Sequence, residues 1–161
     1  MRNTEIMSAG NELAELFRRD INRLLQELKA FPNEAALWQR LPGISNSAGN
    51  LMLHLEGNLR DFIGRQLGGV AYDRRRDLEF SSSGVPMDDV LQRLAALKET
   101  IPDIVSGLSD AVLDATYPQE VLGAPVSTRK FLIHLQGHLN YHLGQIDYLR
   151  RILTEGTALQ P

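Results

Sequence analysis

Residues 127–153 read STRKFLIHLQGHLNYHLGQIDYLRRIL, and the fold can be worked out from this stretch. A helix advances about 100° per residue, so Phe131, Leu135, Leu139, Ile146, Leu149 and Leu153 fall within one arc. Ser127 or Thr128 supplies an N-cap, and Gly156 lies just past the end. A long helix with one apolar arc has to bury that arc against other elements. The same stretch carries His134, His138 and His142. On the helical projection His142 falls close to the middle of the apolar arc and His138 roughly 40° from it. His134 lies towards the edge, beside Tyr141 and Ile152.

Working outward, proline and glycine divide the remainder into three more helical segments. The first spans about Thr4 to Ala30, with Leu13, Phe17, Ile21, Leu24, Leu25 and Leu28 at three- and four-residue steps. Phe31-Pro32 ends it, and a linker with Trp38 and Leu41-Pro42-Gly43 follows. The second starts near Ser45 or Ser47 and runs to about Leu67, where Gly68-Gly69 stops it. Leu51, Met52, Leu55, Leu59, Phe62 and Ile63 form its single apolar stripe. The third opens at Pro86, with Asp88 and Asp89 in a first turn where acidic groups suit the helix dipole. Val90, Leu91, Leu94, Leu97, Ile101, Ile104 and Leu108 supply its face, and Pro102 predicts a kink or break.

Two long connections remain, Gly68 to Val85 and about Ser109 to Val126. Sustained β-branched alternation is nowhere present, so strand content should be close to nil. Four amphipathic helices with long connections between helices 2 and 3 and between helices 3 and 4 predict an all-α four-helix bundle. The 161 residues are about one domain's worth, so residues 1–161 are read as a single bundle.

Composition narrows the chemistry. The chain is 43% hydrophobic and 23% charged, ordinary globular usage, and it contains no cysteine. Disulfides, thiolate metal sites, iron–sulfur clusters and cysteine nucleophiles are thereby excluded, and any metal must be held by nitrogen and oxygen. The formal net charge of −3 gives no broad electrostatic reason to bind nucleic acid. Arg74-Arg75-Arg76, followed by Asp77 and Glu79, reads as a charged loop. No run of 18 apolar residues predicts a membrane span, and the N-terminus lacks the apolar core of a secretory signal. A cytoplasmic placement is the expectation.

Histidines four apart stand on one helix face, one turn above the other, the spacing by which two imidazoles grip one metal ion. His138-Leu139-Asn140-Tyr141-His142 has that spacing but no glutamate after the first histidine, which excludes the HExxH metalloprotease. Imidazoles directed into a bundle interior need a metal, a hydrogen bond or water, because an unpaired buried polar group is costly. His54, in Leu53-His54-Leu55-Glu56-Gly57-Asn58, sits beside the second helix's stripe, in line with Asn58 and close to Phe62, and is the candidate third member. His134 reads as a boundary residue.

The string from His134 to Ile146, with its histidine pair and the following Gly144-Gln145-Ile146, resembles the signature of the DinB/YfiT-like superfamily. Leu143 stands where that pattern often has arginine. Asn50 to Asn58 with Arg60, and Asp73 to Phe80, resemble one branch of it, a domain of unknown function. The resemblance implies a four-helix bundle, often a homodimer, with one metal-ligating histidine on the second helix and two on the fourth, here His54, His138 and His142. Superfamily members include thiol S-transferases using bacillithiol or mycothiol and a maleylpyruvate isomerase. The reaction does not carry over with the fold.

Three neutral imidazoles suit a divalent transition metal, zinc or nickel first and iron next, better than magnesium or calcium. Three protein ligands leave coordination open, the mark of a catalytic site, and a metal lowers the pKa of a bound water or thiol. The leading expectation is a metal-dependent transferase activating a low-molecular-weight thiol, with its electrophilic small-molecule substrate entering from the side of the Gly68–Val85 connection. The alternatives are a metal-dependent hydrolase or isomerase and a non-catalytic metal-binding protein. Asn58, Tyr141 and Gln145 are candidate supporting residues, and Glu56 and Glu79 candidate proton acceptors. Trp38 and Tyr148 are aromatics available to a dimer interface.

Overall fold

The structure, a computed structural model, describes residues 7–160. Helix α1 (Ala9–Lys29) begins after Ser8, whose side chain accepts from the Asn11 amide and caps it. Thr4, where that helix was expected to start, lies outside the described residues. The other long helices are α3 (Ala48–Leu59), α5 (Met87–Ser106) and α7 (Thr128–Thr154). Three short ones lie between them: α2 (Glu34–Trp38), α4 (Arg76–Ser81) and α6 (Asp110–Asp114). Among the described residues β pairing is confined to two isolated bridges, Thr116 with Ser127 and Val121 with Ala124. The protein is all-α, as the periodicity requires.

Helix α1 packs against α5 and α7, and α3 packs against both α5 and α7. Phe17, Ile21 and Leu24 meet Met52, Leu55 and Leu59, Leu94 and Ile101, and Leu139 and Ile146 in one core from which water is excluded. Burying such a side chain contributes on the order of 2 kcal/mol. Helix α3 departs from the expected single stripe, because all of its residues from Ala48 to Leu59 are buried. The short helices explain this: α2 and α4 both pack on α3 and cover the side that would otherwise face solvent.

Beyond Leu59 the chain does not leave the helix but widens into a π-helical turn, Arg60–Arg65. Its signature is a bond from the Gln66 amide to the Asp61 carbonyl, five residues back. The turn leaves the Phe62 carbonyl free to accept the Tyr117 hydroxyl at 2.7 Å, which ties the second long connection to α3. Pro102 is buried and α5 continues through it, so the expected break does not occur.

The two connections are more ordered than expected. Gly68–Val85 contains α4, pinned to the start of α3 by Asn50, whose side-chain amide donates to the carbonyls of Glu79 and Ser82. The second connection contains α6, capped by Ser109. Trp38 is half-buried: its indole donates to the Val85 carbonyl at 3.0 Å, and its ring lies so close to Gly49 that a Cβ there would collide with it. No described helix is long and apolar enough to cross a membrane.

Candidate metal centre

Helix α7 has a wider buried face than its leucine arc predicts. Leu132, Gln136, Leu143 and Arg150 are buried as well, on the side away from the histidines. Gln136 and Asn140 both donate to the fully buried Asp20 carboxylate of α1, and Arg150 pairs with buried Glu27. The centre of the buried face therefore shifts. His138 and His142 stand at its edge, half-buried, rather than near its middle.

That edge faces α3, where His54 is buried. The Nε2 atoms of His54 and His138 lie 3.1 Å apart. The His142 ring packs edge-on to both, with centroid distances of 5.2 Å to His54 and 4.6 Å to His138. One ring nitrogen from each of the three lies within 4.8 Å of the others.

What holds the rings is legible atom by atom. His54 Nδ1 donates to Glu79 Oε2 at 2.8 Å, and His142 Nδ1 donates to Gln145 Oε1 at 2.7 Å. Placing the hydrogen on Nδ1 leaves the Nε2 lone pair of each neutral ring free. Burial pushes His138 down to about 4, and the neighbouring His142 and His54 push in the same direction. Burial also lowers His142, outweighing the opposing bond from Gln145. At neutral pH these two rings are uncharged, the state a metal ligand requires.

Glu79 is the residue whose place the sequence did not reveal. Arg74 donates to it through two nitrogens, Nε to Oε1 at 2.7 Å and a terminal nitrogen to Oε2 at 3.0 Å. Burial pushes the Glu79 carboxyl up, but the His54 bond and the Arg74 bonds and charge outweigh it and hold it below the usual range. Arg74 thus belongs to a largely buried relay, Arg74–Glu79–His54, and not to a loose charged loop. Gly57 makes room for it, because a Cβ there would overlap the Glu79 carboxylate.

The other supporting candidates divide. Gln145 touches His142, and Tyr141 lies against the same ring but is 64% exposed. Glu56 is removed from the histidines by its ion pairs with Arg60 and Arg93. His134 stands at the exposed rim, stacked on Phe131.

Above His54 and His138 opens a cleft of about 450 Å³, walled by Phe62 and Phe131 and bordered by Arg74, Arg76 and Glu120. Phe80 and Glu79 of α4 cover His54, so the opening lies between the two long connections rather than beneath the first alone.

Donor type and placement can be tested together against a metal. Two ligands of a tetrahedral ion at ordinary metal–imidazole lengths stand roughly 3.3 Å apart, close to the 3.1 Å between His54 and His138 Nε2. The three-histidine group fits a metal-binding protein, and three imidazole nitrogens fit a transition metal better than an oxygen-seeking ion.

The DinB superfamily model matches residues 16–146, which take in α3 and α5 whole, most of α1 and α7, and His54, His138 and His142. The chain belongs to the DinB superfamily. Two solved DinB-like proteins share its fold. One, from Bacillus cereus ATCC 10987, has a TM-score of 0.67 at 16% identity, covering 88% of this chain and 90% of that one. The other, from Bacillus subtilis, has a TM-score of 0.65 at 17% identity, covering 92% and 95%. Among curated proteins none matches this DinB-superfamily chain.

Proposed function

We propose that this DinB-superfamily protein is a metal-dependent enzyme that holds a divalent transition metal through His54, His138 and His142 and transfers a low-molecular-weight thiol to an electrophilic small molecule. The observation that carries the reading is the convergence of three imidazoles, of which His54 and His138 line an open cleft, with His54 and His142 fixed through Nδ1 by Glu79 and Gln145. A sealed site would favour a structural ion, and an open one favours chemistry. Zinc or nickel suits the donor set best, and iron next.

A bound metal of this kind acidifies a thiol that reaches it. The chain's own residues do the rest. Glu79 and Gln145 fix the rings of His54 and His142, and Phe62 and Phe131 give the substrate an apolar wall. In a substitution the thiol gives up its proton to solvent, its sulfur bonds to the electrophilic carbon, and the leaving group departs with the electrons of the broken bond. In an addition the sulfur bonds to one carbon of the double bond and the other carbon takes up a proton from solvent. The alternative, hydrolysis or isomerisation, needs a base near the metal-bound water, and His134 and Glu120 line the cleft. Glu79 is committed to His54 and Arg74, and Glu56 to Arg60 and Arg93.

The reading includes a homodimer formed through the solvent-facing side of α7. Tyr141, Tyr148 and Ile152 are each at least 60% exposed there, an unusual apolar display for a free helix face. A clean monomer by light scattering at high concentration would discard that assembly.

The test of the reaction uses tag-free protein loaded with zinc, nickel or iron, a panel of small thiols and a panel of alkylating and unsaturated electrophiles. Thiol addition should accelerate over the uncatalysed rate and return to it in His138→Ala. No acceleration with any pair would overturn the transferase and leave only a metal-binding protein.

A further inference from the structure

Asn58 stands one turn after His54 on the same face of α3, 7% exposed, lining the cleft. Its Oδ1 is buried with no hydrogen-bond partner among the described residues. A buried amide left unpaired is costly and rare, and its presence beside an open site marks a place where a ligand completes the bonding. Rotating the amide by half a turn exchanges oxygen for nitrogen, so the same residue can offer a donor.

The cations of the cleft are not equivalent. Arg74 is neutralised by Glu79 and lies within ion-pair reach of Asp61. Arg76, on the first turn of α4, forms no ion pair among the described residues and rests with its guanidinium 5.1 Å over the Phe80 ring. Phe80 in turn packs on the His54 ring. A stacked guanidinium with unused donors is suited to a carboxylate. Glu120 reaches the cleft from the other connection and pairs with neither arginine. Its charge repels a second anionic group, so the cleft suits a single carboxylate better than a polyanion.

We infer that Asn58 and Arg76 form a carboxylate-recognition subsite, and that the molecule presented to the three histidines is a monocarboxylate. Within the function proposed above, on which this inference rests, that molecule is a carboxylate-bearing thiol. Asn58 and Arg76 are specificity-determining residues: they select and orient, and the histidines remain the reactive end.

The experiment measures calorimetric binding of 3-mercaptopropionate and of the neutral 3-mercapto-1-propanol to the full metal-loaded chain, with metal content determined on the same samples. Propionate and 1-propanol are measured against the metal-free chain. Wild type should prefer each carboxylate over its alcohol by about tenfold, the scale of one charge-assisted contact. The preference should collapse towards one in Arg76→Gln, return in Arg76→Lys, and reverse in Asn58→Asp, which sets a like charge at the subsite. Should Asn58→Asp fail to fold, the Arg76 pair, on an exposed side chain, decides alone. Equal binding of acid and alcohol by wild type, or no binding of either, overturns the inference. Absence of metal with a preserved preference for propionate in the metal-free chain overturns the metal reading and keeps the subsite.

Discussion

The Nε2 atoms of His54 on α3 and His138 on α7 stand 3.1 Å apart, although the residues are 84 positions apart in the chain. Nothing local brings them together. The approach is set by the packing of α3 against α7, with Leu55, Leu59, Leu135 and Leu139 in the common core, and by α4, which sets Phe80 and Glu79 against His54. The candidate site is therefore as rigid as the bundle on its floor and depends on a six-residue helix for its lid.

Glu79→Gln should uncouple that lid from the site. The amide can still accept from His54 but no longer carries the charge that Arg74 pairs with, and Arg74 is itself only 13% exposed at its side chain. Losing the charge should weaken metal affinity about 10- to 100-fold and destabilise the metal-free protein by about 3 kcal/mol. Competition with a chelator measures the first and urea unfolding the second. An unchanged affinity would show that Glu79 does not set the His54 ring.

Gly57→Ala tests the same relay without touching a polar group. In an ordinary helix interior the change stabilises by about 1 kcal/mol. Here the new Cβ meets the Glu79 carboxylate and approaches Arg74 Nε to 3.4 Å. Metal affinity should fall while the far-ultraviolet helical signal stays at the wild-type level. A gain in stability with unchanged affinity would mean that the carboxylate is free to move aside.

Asp20 gives the pH prediction. Burial pushes its carboxyl up, but bonds from Arg19 and Asn140 and the charges of Arg19 and Arg23 outweigh this and hold it below its ordinary value. A group with a lowered folded-state pKa contributes stability that is fully present above its unfolded pKa of about 3.9 and is lost as pH falls through the folded value. Asp20→Asn removes that titration. The stability gap between wild type and Asp20→Asn should be widest near about pH 6 and shrink below about pH 4. Urea midpoints across that range measure it, and a gap independent of pH would contradict the assignment.

The four long helices were legible because each offers at least three turns of apolar repetition, and Ser47 and Ser127 cap α3 and α7 where the sequence places them. Helices of five or six residues have no period to read. Asn33 and Ser109, which cap α2 and α6, were the available signals, whereas α4 has no side-chain cap at all. The histidines were legible from their spacing and from the family resemblance, but their depth was not. Asp20 and Glu27 lie seven and fourteen residues after Leu13, in phase with the apolar face of α1, and this was the sign that α7 would turn polar partners towards them. Their effect is to place His138 and His142 at the edge of the buried face of α7 rather than at its centre.

The most direct measurement is elemental analysis of tag-free wild-type protein beside His138→Ala, purified identically and also after reloading with zinc or nickel. The account predicts about one transition-metal ion per wild-type chain and a loss of that ion in the variant with the helical fold retained. Wild type that holds no metal even after reloading, or a variant that holds as much as wild type, would contradict it.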